Sequence, residues 1–212
     1  MPQVLKPEVR ARILDASLRV FAELGFARAT MATIAERAGL GSASLYRYYA
    51  SKGELFDTVI TSELASEFER LLVKRVRALA QASARSFAPR RDYGQEMLDF
   101  WLEHRLAVVV LLDRAQGTAY EPYGQRFVSL LVKSTIEQMR AAEPGIEITA
   151  AARFVLTRIF ESTRRTLAEI LAHTSDQRVL RETIEAFWSY QIPGLHGLRA
   201  WLSRHNHGPG TR

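Results

Sequence analysis

The chain has 212 residues, 47% of them hydrophobic, with a formal net charge of +6: enough apolar material for a real core in one or two domains, and a balance that favours a polyanionic partner without defining one. It has no cysteine, which excludes a disulfide framework and thiol chemistry. Its longest unbroken apolar run, Leu106–Leu112, is far short of a membrane span, and the opening MPQVLKPEVR lacks the apolar centre of a signal peptide, so a cytoplasmic protein with no membrane partner is expected.

Almost every segment has helical period and almost none alternates like a strand, so the expected fold class is all-α. Glu8–Leu24 sets Ile13, Leu14, Leu18 and Phe21 on one stripe; Gly25 ends that helix and Phe26 follows as an apolar anchor. Thr30 suits the N-cap of a short helix, Met31–Ala38, which turns Ile34, Ala35 and Ala38 to one side. Gly39 permits a left-handed residue at the following turn, with Leu40 as an apolar plug beneath it. A second short helix, Ser42–Tyr49, then points Leu45 inward and Ser42, Ala43, Ser44 and Arg47 outward. Ser51-Lys52-Gly53-Glu54 is a capping box. The helix it opens is predicted to run to about Leu79, burying Leu55, Val59, Leu64, Phe68 and Leu72.

A looser stretch, Ser83–Asp92, contains Pro89 and a run of arginines. Helices are predicted over Tyr93–Arg114 and, after a break at Gly117–Pro122, over Pro122–Ala142, where Pro144–Gly145 stops the pattern. Thr149–His173 and Asp176–Arg204 read as two long closing helices. Pro193–Gly194 is expected to kink or interrupt the last, because proline lacks the helical N–H and crowds the preceding turn. The expected organisation is a helix-turn-helix part, residues 1–57, a larger helical part, 58–204, and a disordered tail, 205–212.

Small residues at a helix start, followed by aromatic and basic ones, suit a helix pushed into the major groove of double-stranded DNA. Arg47 is the candidate for a base edge, guanine above all, or else for a phosphate. Ser42, Ala43 and Ser44 offer short polar contacts or a surface for a thymine methyl. Thr30 and Thr33 either reach phosphates or serve as caps. Lys52 lies in the first turn of a capped helix, where a cation opposes the helix dipole unless an anion lies beside it; a DNA phosphate would supply one. Lys6, Arg10 and Arg12 are either a basic arm along the minor groove or solvated residues. Leu45 and Tyr49 share a face at spacing four and fit the core.

Ile13-Leu14, Ala16, Phe21, Gly25-Phe26, Thr30, Ile34-Ala35, Ala38-Gly39, Leu45-Tyr46, Tyr48-Tyr49, Lys52 and Glu54-Leu55-Phe56 stand in an order and spacing that resembles the TetR/AcrR family of bacterial transcriptional regulators. The resemblance covers about the first quarter of the chain. It implies an N-terminal three-helix DNA-binding part and a C-terminal helical part that binds a small-molecule effector and forms a homodimer. It also implies that Tyr46 and Tyr48 offer hydroxyls to phosphates of a palindromic operator, and that effector binding relieves repression. Thr33, Gly41 and Ser42 depart from the family's acidic, serine and basic preferences at those positions.

Aromatic residues are dense in the second part. Packing explains most of them, and a ligand cluster between helices with a few orienting polar groups is the functional alternative. Phe100, Trp101, His104, Tyr123, Phe127 and Phe154 are the candidates for a small, largely apolar effector. Leu167, Ile170 and Leu171, with Ile184, Phe187, Trp188 and Leu195, are the candidates for a four-helix dimer interface. No pair of the 5 histidines has metal-ligand spacing, and there is no phosphate loop, nucleophile elbow or HExxH. No catalytic residue, metal or cofactor is therefore assigned. The alternative class is a helical carrier or enzyme using the same interior.

Overall fold

Among the described residues, 6–83 and 91–206 of this computed structural model, every regular element is a helix. In chain order they are α1 (Pro7–Leu24), α2 (Met31–Arg37), α3 (Ser42–Tyr46), α4 (Lys52–Val59), α5 (Ser62–Ser83), α6 (Arg91–Glu103), α7 (Arg105–Val109), a π-helical turn (Val110–Arg114), α8 (Tyr123–Ala142), α9 (Ala150–His173) and α10 (Gln177–Asn206). No helix among them is long and apolar enough to cross a membrane, and no group of side chains among them is suited to hold a metal.

Local chemistry sets most of the ends. Proline opens α1, where its missing N–H costs nothing. The Thr33 amide donates to the Thr30 hydroxyl at 3.1 Å and the Ala152 amide to the Thr149 hydroxyl at 3.1 Å, capping α2 and α9. At α4 the Glu54 amide donates to Ser51 Oγ at 3.1 Å, and the Glu54 carboxylate reaches back to the Ala50 amide at 2.7 Å. The capping box is present, with its return bond landing one residue earlier than the usual N-cap amide.

Three expectations change. The single helix from Ser51 to about Leu79 is two, α4 and α5. Ile60 leaves helical geometry with φ −118 and ψ 86, its side chain buried, and the Thr61 hydroxyl accepts from the Leu64 amide at 3.2 Å to start a new helix. A hydroxyl that caps competes with continuing the helix. Likewise Tyr93–Arg114 divides at His104, with φ −109 and ψ 24, and ends in the π-turn. Conversely, α10 passes through Pro193 without interruption. Ser189, whose carbonyl proline leaves unmatched, is exposed, as is Pro193, so water can take the lost bond. Residues 84–90 of the looser stretch and 207–212 of the tail lie outside the described residues, while Ser83, Arg91, Asp92 and His205 are helical.

The core is continuous from end to end. In the N-terminal unit Ile13, Phe21, Ile34, Leu45 and Phe56 are fully buried, and Phe21, Phe26 and Phe56 form a ring triangle with centroids 5.0–5.9 Å apart. In the larger part Phe68 of α5 is the hub for α6 and α8, and α10 lies along α9 through Leu180, Ile184 and a Gln191–Thr163 hydrogen bond of 3.0 Å. The π-turn joins the two: the Phe26 amide donates to the Arg114 carbonyl at 3.0 Å, and Tyr120 lies 6.3 Å from Phe56.

Candidate nucleic-acid interface and effector cluster

The α2–α3 turn follows from its residues. Gly39 has φ +68, the left-handed region where a side chain would strain the backbone. That conformation lets the Leu40 amide reach the Ala35 carbonyl at 2.8 Å and the Gly39 amide the Glu36 carbonyl at 3.0 Å, closing the end of α2. Leu40 packs against the core and Leu45 is buried beneath α3. The outer side of α3 is left to Ser42, Ala43, Tyr46 and Arg47, all exposed, with Ser44 partly so; Tyr46 is 54% exposed. A phenol standing that far into water contributes little packing. Arg47 Nη2 donates to Ser44 Oγ at 3.2 Å, lying back along its own helix.

α3 is shorter than expected, ending at Tyr46, and the three residues after it divide the work. The Tyr48 hydroxyl is 3.4 Å from the Lys6 amide. Tyr49 is buried, and its hydroxyl accepts from Arg10 Nε at 3.0 Å. Arg10 is thus neither arm nor merely solvated; it ties the start of α1 to the end of the motif. Arg37 and Glu23 form a bidentate pair, 2.9 and 2.8 Å, that fixes α2 to α1. Hydrogen bonding to Arg37 holds the Glu23 carboxyl below the ordinary carboxylate range.

Three expected phosphate ligands have internal partners. The Thr30 and Thr33 hydroxyls are 2.8 Å apart, and Thr30 caps α2. Lys52 turns inward. Its ammonium donates to the carbonyls of Phe26 at 2.7 Å and Ala29 at 2.9 Å, and sits 4.3 Å from the centre of the Phe26 ring. The anion that the helix dipole seemed to call for is replaced by carbonyl oxygens of the α1–α2 turn and a π-face. Lys52, expected to face a phosphate, is here a strut between α4 and that turn.

Residues 13–59 match the model of the bacterial regulatory proteins, tetR family. Over those residues the chain is similar to the tetR family. It is 31% identical over 113 residues to the HTH-type transcriptional repressor KstR2 of Mycobacterium tuberculosis, covering 53% of this chain and 54% of that one. It is 42% identical over 71 residues to the HTH-type transcriptional repressor KstR of Mycolicibacterium smegmatis, covering 34% and 33%. The chain therefore matches about half the length, or less, of these curated relatives. A solved TetR-like transcriptional regulator from Rhodococcus sp. RHA1 aligns with 92% of this chain and 100% of its own at 23% identity, with a TM-score of 0.48, too loose a likeness to argue from.

Beyond residues 13–59, the structure gathers four of the six candidate effector residues. Phe68, Phe100, Tyr123 and Phe127 form one ring cluster, with Phe68 5.7, 5.9 and 5.9 Å from the other three centroids, and His104 lies 4.8 Å from Phe100. Tyr123 is buried and donates to the Ala65 carbonyl at 2.9 Å; burial pushes its phenol well above the ordinary value, so it stays neutral. Trp101 faces elsewhere, stacked 6.5 Å from Trp188 of α10, and its buried indole N–H has no partner. Phe154 does not join them. It is 66% exposed on α9, its ring 5.8 Å from the Arg158 guanidinium, because the inward face of α9 is taken by Ala152, Leu156 and Phe160.

The expected dimer residues are corrected in part for the same reason. Leu167, Leu171 and Ile184 are buried within one chain, and the exposed large apolar groups of α9 and α10 are Phe154, Val155, Tyr190 and Trp201. Helical period identifies an apolar face, but not which neighbour covers it.

Sequence reasoning missed the π-turn and its clamp. Arg164 of α9 donates to the Leu112 carbonyl and to Asp113 Oδ1, the latter at 2.8 Å. Gly124 of α8 makes room for it, since a Cβ there would collide with the Leu112 carbonyl. The segment before the Gly117 break was visible as an apolar run, but nothing in it names an arginine some fifty residues later as its partner.

Proposed function

We propose that this chain is a homodimeric, ligand-responsive repressor of transcription. Residues 1–57 hold a roughly palindromic double-stranded DNA operator and residues 58–204 hold a small-molecule effector and dimerise. The observation that carries the reading is α3: a short helix seated on buried Leu45, offering Ser42, Ala43, Tyr46 and Arg47 to the outside and little else. Tyr46 and Tyr48 supply hydroxyls to phosphates, Ser42, Ala43 and Ser44 contact base edges, and Arg47 swings from Ser44 to a guanine edge. Thr30 and Thr33 approach the backbone at the N-terminus of α2, where the amides favour an anion. The names of KstR2 and KstR, both transcriptional repressors, support the sign of the regulation.

The exposed Phe154, Val155, Tyr190 and Trp201 favour pairing through α9 and α10. Two such chains set two α3 helices in successive major grooves, about 34–36 Å apart. The effector acts on that separation through the π-turn, which touches α1's end at Phe26 and α9 at Arg164. A ligand that favours one arrangement of this link changes DNA affinity by the coupling it exerts, and DNA changes ligand affinity equally. Selection of bound duplexes from a random pool tests the reading: the expected product is an inverted repeat with half-sites about one helical turn apart. Enrichment of no sequence would overturn it.

A further inference from the structure

The two tyrosines that follow α3 are both held from the first turn of α1. The Lys6 amide donates to the Tyr48 hydroxyl at 3.4 Å, and Arg10 Nε donates to the Tyr49 hydroxyl at 3.0 Å. Lys6 and Arg10 stand one helical turn apart and share a face, so that face lies along the end of the motif. In both bonds the tyrosine oxygen is the acceptor, and the Tyr48 hydroxyl, only partly buried, keeps its own proton for another group. Arg10 is exposed, and its guanidinium carbon stands 6.0 Å from the centre of the Tyr49 ring. Among the described residues no carboxylate pairs with it. Glu8 is two residues away and off that face, and Asp15 pairs with Arg19 at 2.8 Å. With Nε engaged, Nη1 and Nη2 remain as a forked pair of donors. Tyr49 is itself fixed, its ring buried in the core of the N-terminal unit. An arginine tied to a buried phenol has already lost much of the side-chain freedom that binding would otherwise remove.

We infer that Arg10 is a phosphate ligand built outside the recognition helix. With the Tyr48 hydroxyl it grips one operator phosphate in each half-site, and the Tyr49 hydroxyl is the positioning group that aims it. The inference rests on the DNA-binding reading above. A helix seated in the major groove brings the residues that follow it beside the bordering sugar–phosphate backbone. The Arg10 Nη groups and the Tyr48 O–H are donors, and a phosphate oxygen is a charged acceptor that matches them. Such a contact carries no base information. It fixes the register of the protein on the duplex and supplies affinity that falls with salt.

The test measures affinity of the full chain for the selected duplex as a function of salt. Arg10→Gln should weaken all sequences alike and flatten the log–log slope by about 0.9 for each half-site. Arg12→Gln removes the same charge from an exposed residue off that face and should keep the wild-type slope. Tyr49→Phe keeps the buried ring and every charge. It should weaken binding about two- to tenfold, as expected for one hydrogen bond, and should have no further effect in the Arg10→Gln background. A tie that only braces α1 would lower the melting temperature in both variants and leave the slope alone, which overturns the inference. Equal flattening by Arg10→Gln and Arg12→Gln also overturns it, as does a Tyr49→Phe loss that persists in Arg10→Gln. If Arg10→Gln fails to fold, Arg10→Lys takes its place, since it keeps the charge without the Nε tether. Disappearance of the Tyr49→Phe effect in that background upholds the inference, and an undiminished effect overturns it. If wild type binds duplex and only these slopes fail, the regulator reading stands without the Arg10 ligand; if wild type binds no duplex, the regulator reading itself fails.

Discussion

The N-terminal unit and the larger helical region solve opposite problems with the same helices. In the first, buried residues are scaffold and the outward side chains of α3 are exposed for the proposed partner; in the second, the proposed dimer surface lies outside and the proposed ligand groups inside. Both regions join local caps, such as Ser51–Glu54 and Thr30–Thr33 in the first and Thr149–Ala152 in the second, to ties across long stretches of chain: Lys52 to the Phe26 and Ala29 carbonyls and Arg10 to Tyr49 in the first, Tyr123 to Ala65, Arg164 to Leu112 and Arg105 to the Leu171 carbonyl at 2.9 Å in the second.

The largest expected effect breaks the two regions apart. Phe56 is fully buried, completes the ring triangle and faces Tyr120. Phe56→Ala should cost about 3–5 kcal/mol. All 3 tryptophans, at positions 101, 188 and 201, lie in the larger region. Unfolding followed by tryptophan fluorescence should then lag unfolding followed by far-UV circular dichroism. Coincident transitions with both midpoints lowered equally would mean that the two regions unfold as one.

Lys52→Met removes the strut while keeping most of its volume. Two carbonyls lose their donor, which should destabilise the protein by about 1–3 kcal/mol, and the salt dependence of DNA binding should keep its slope. A slope flatter by about 0.9 for each half-site would return Lys52 to a phosphate.

The smallest effect concerns Glu23 and Arg37, both about half exposed. Because the carboxyl is held below its ordinary range by Arg37, the pair contributes stability above the pH where a free glutamate titrates, about 4.3. That contribution is lost as pH falls through the depressed folded value. With solvent screening it should stay under about 1 kcal/mol. Arg37→Ala should therefore lower the melting temperature slightly at neutral pH and not at all in strong acid. A difference that persists in acid would show that Arg37 acts by packing.

What the sequence made legible divides by how far along the chain the deciding partner lies. The caps at Thr30 and Ser51, the Gly39 turn and the inward Leu45 and Tyr49 each depend on neighbours a few residues away, and the structure places them as expected. Misreadings arose where the deciding partner is distant. Lys52 looked like an anion ligand because the Phe26 and Ala29 carbonyls are remote in sequence. Arg10 looked solvated because Tyr49 is 39 residues on. Phe154 and Leu167 both sit on an amphipathic helix, and only packing tells which one the chain itself covers. The break at Ile60 was missed because Thr61 reads equally well as a helix residue and as a cap.

The central claim is that α3 reads bases while the surrounding contacts only position it. Its most direct test is Arg47→Ala, assayed on the selected duplex and on variants changed one base pair at a time. The predicted result is loss of preference at one base pair in each half-site, worth about 1–3 kcal/mol, with an unchanged melting temperature and unchanged discrimination elsewhere. A uniform weakening across all sequences, or no change at any position, would contradict it.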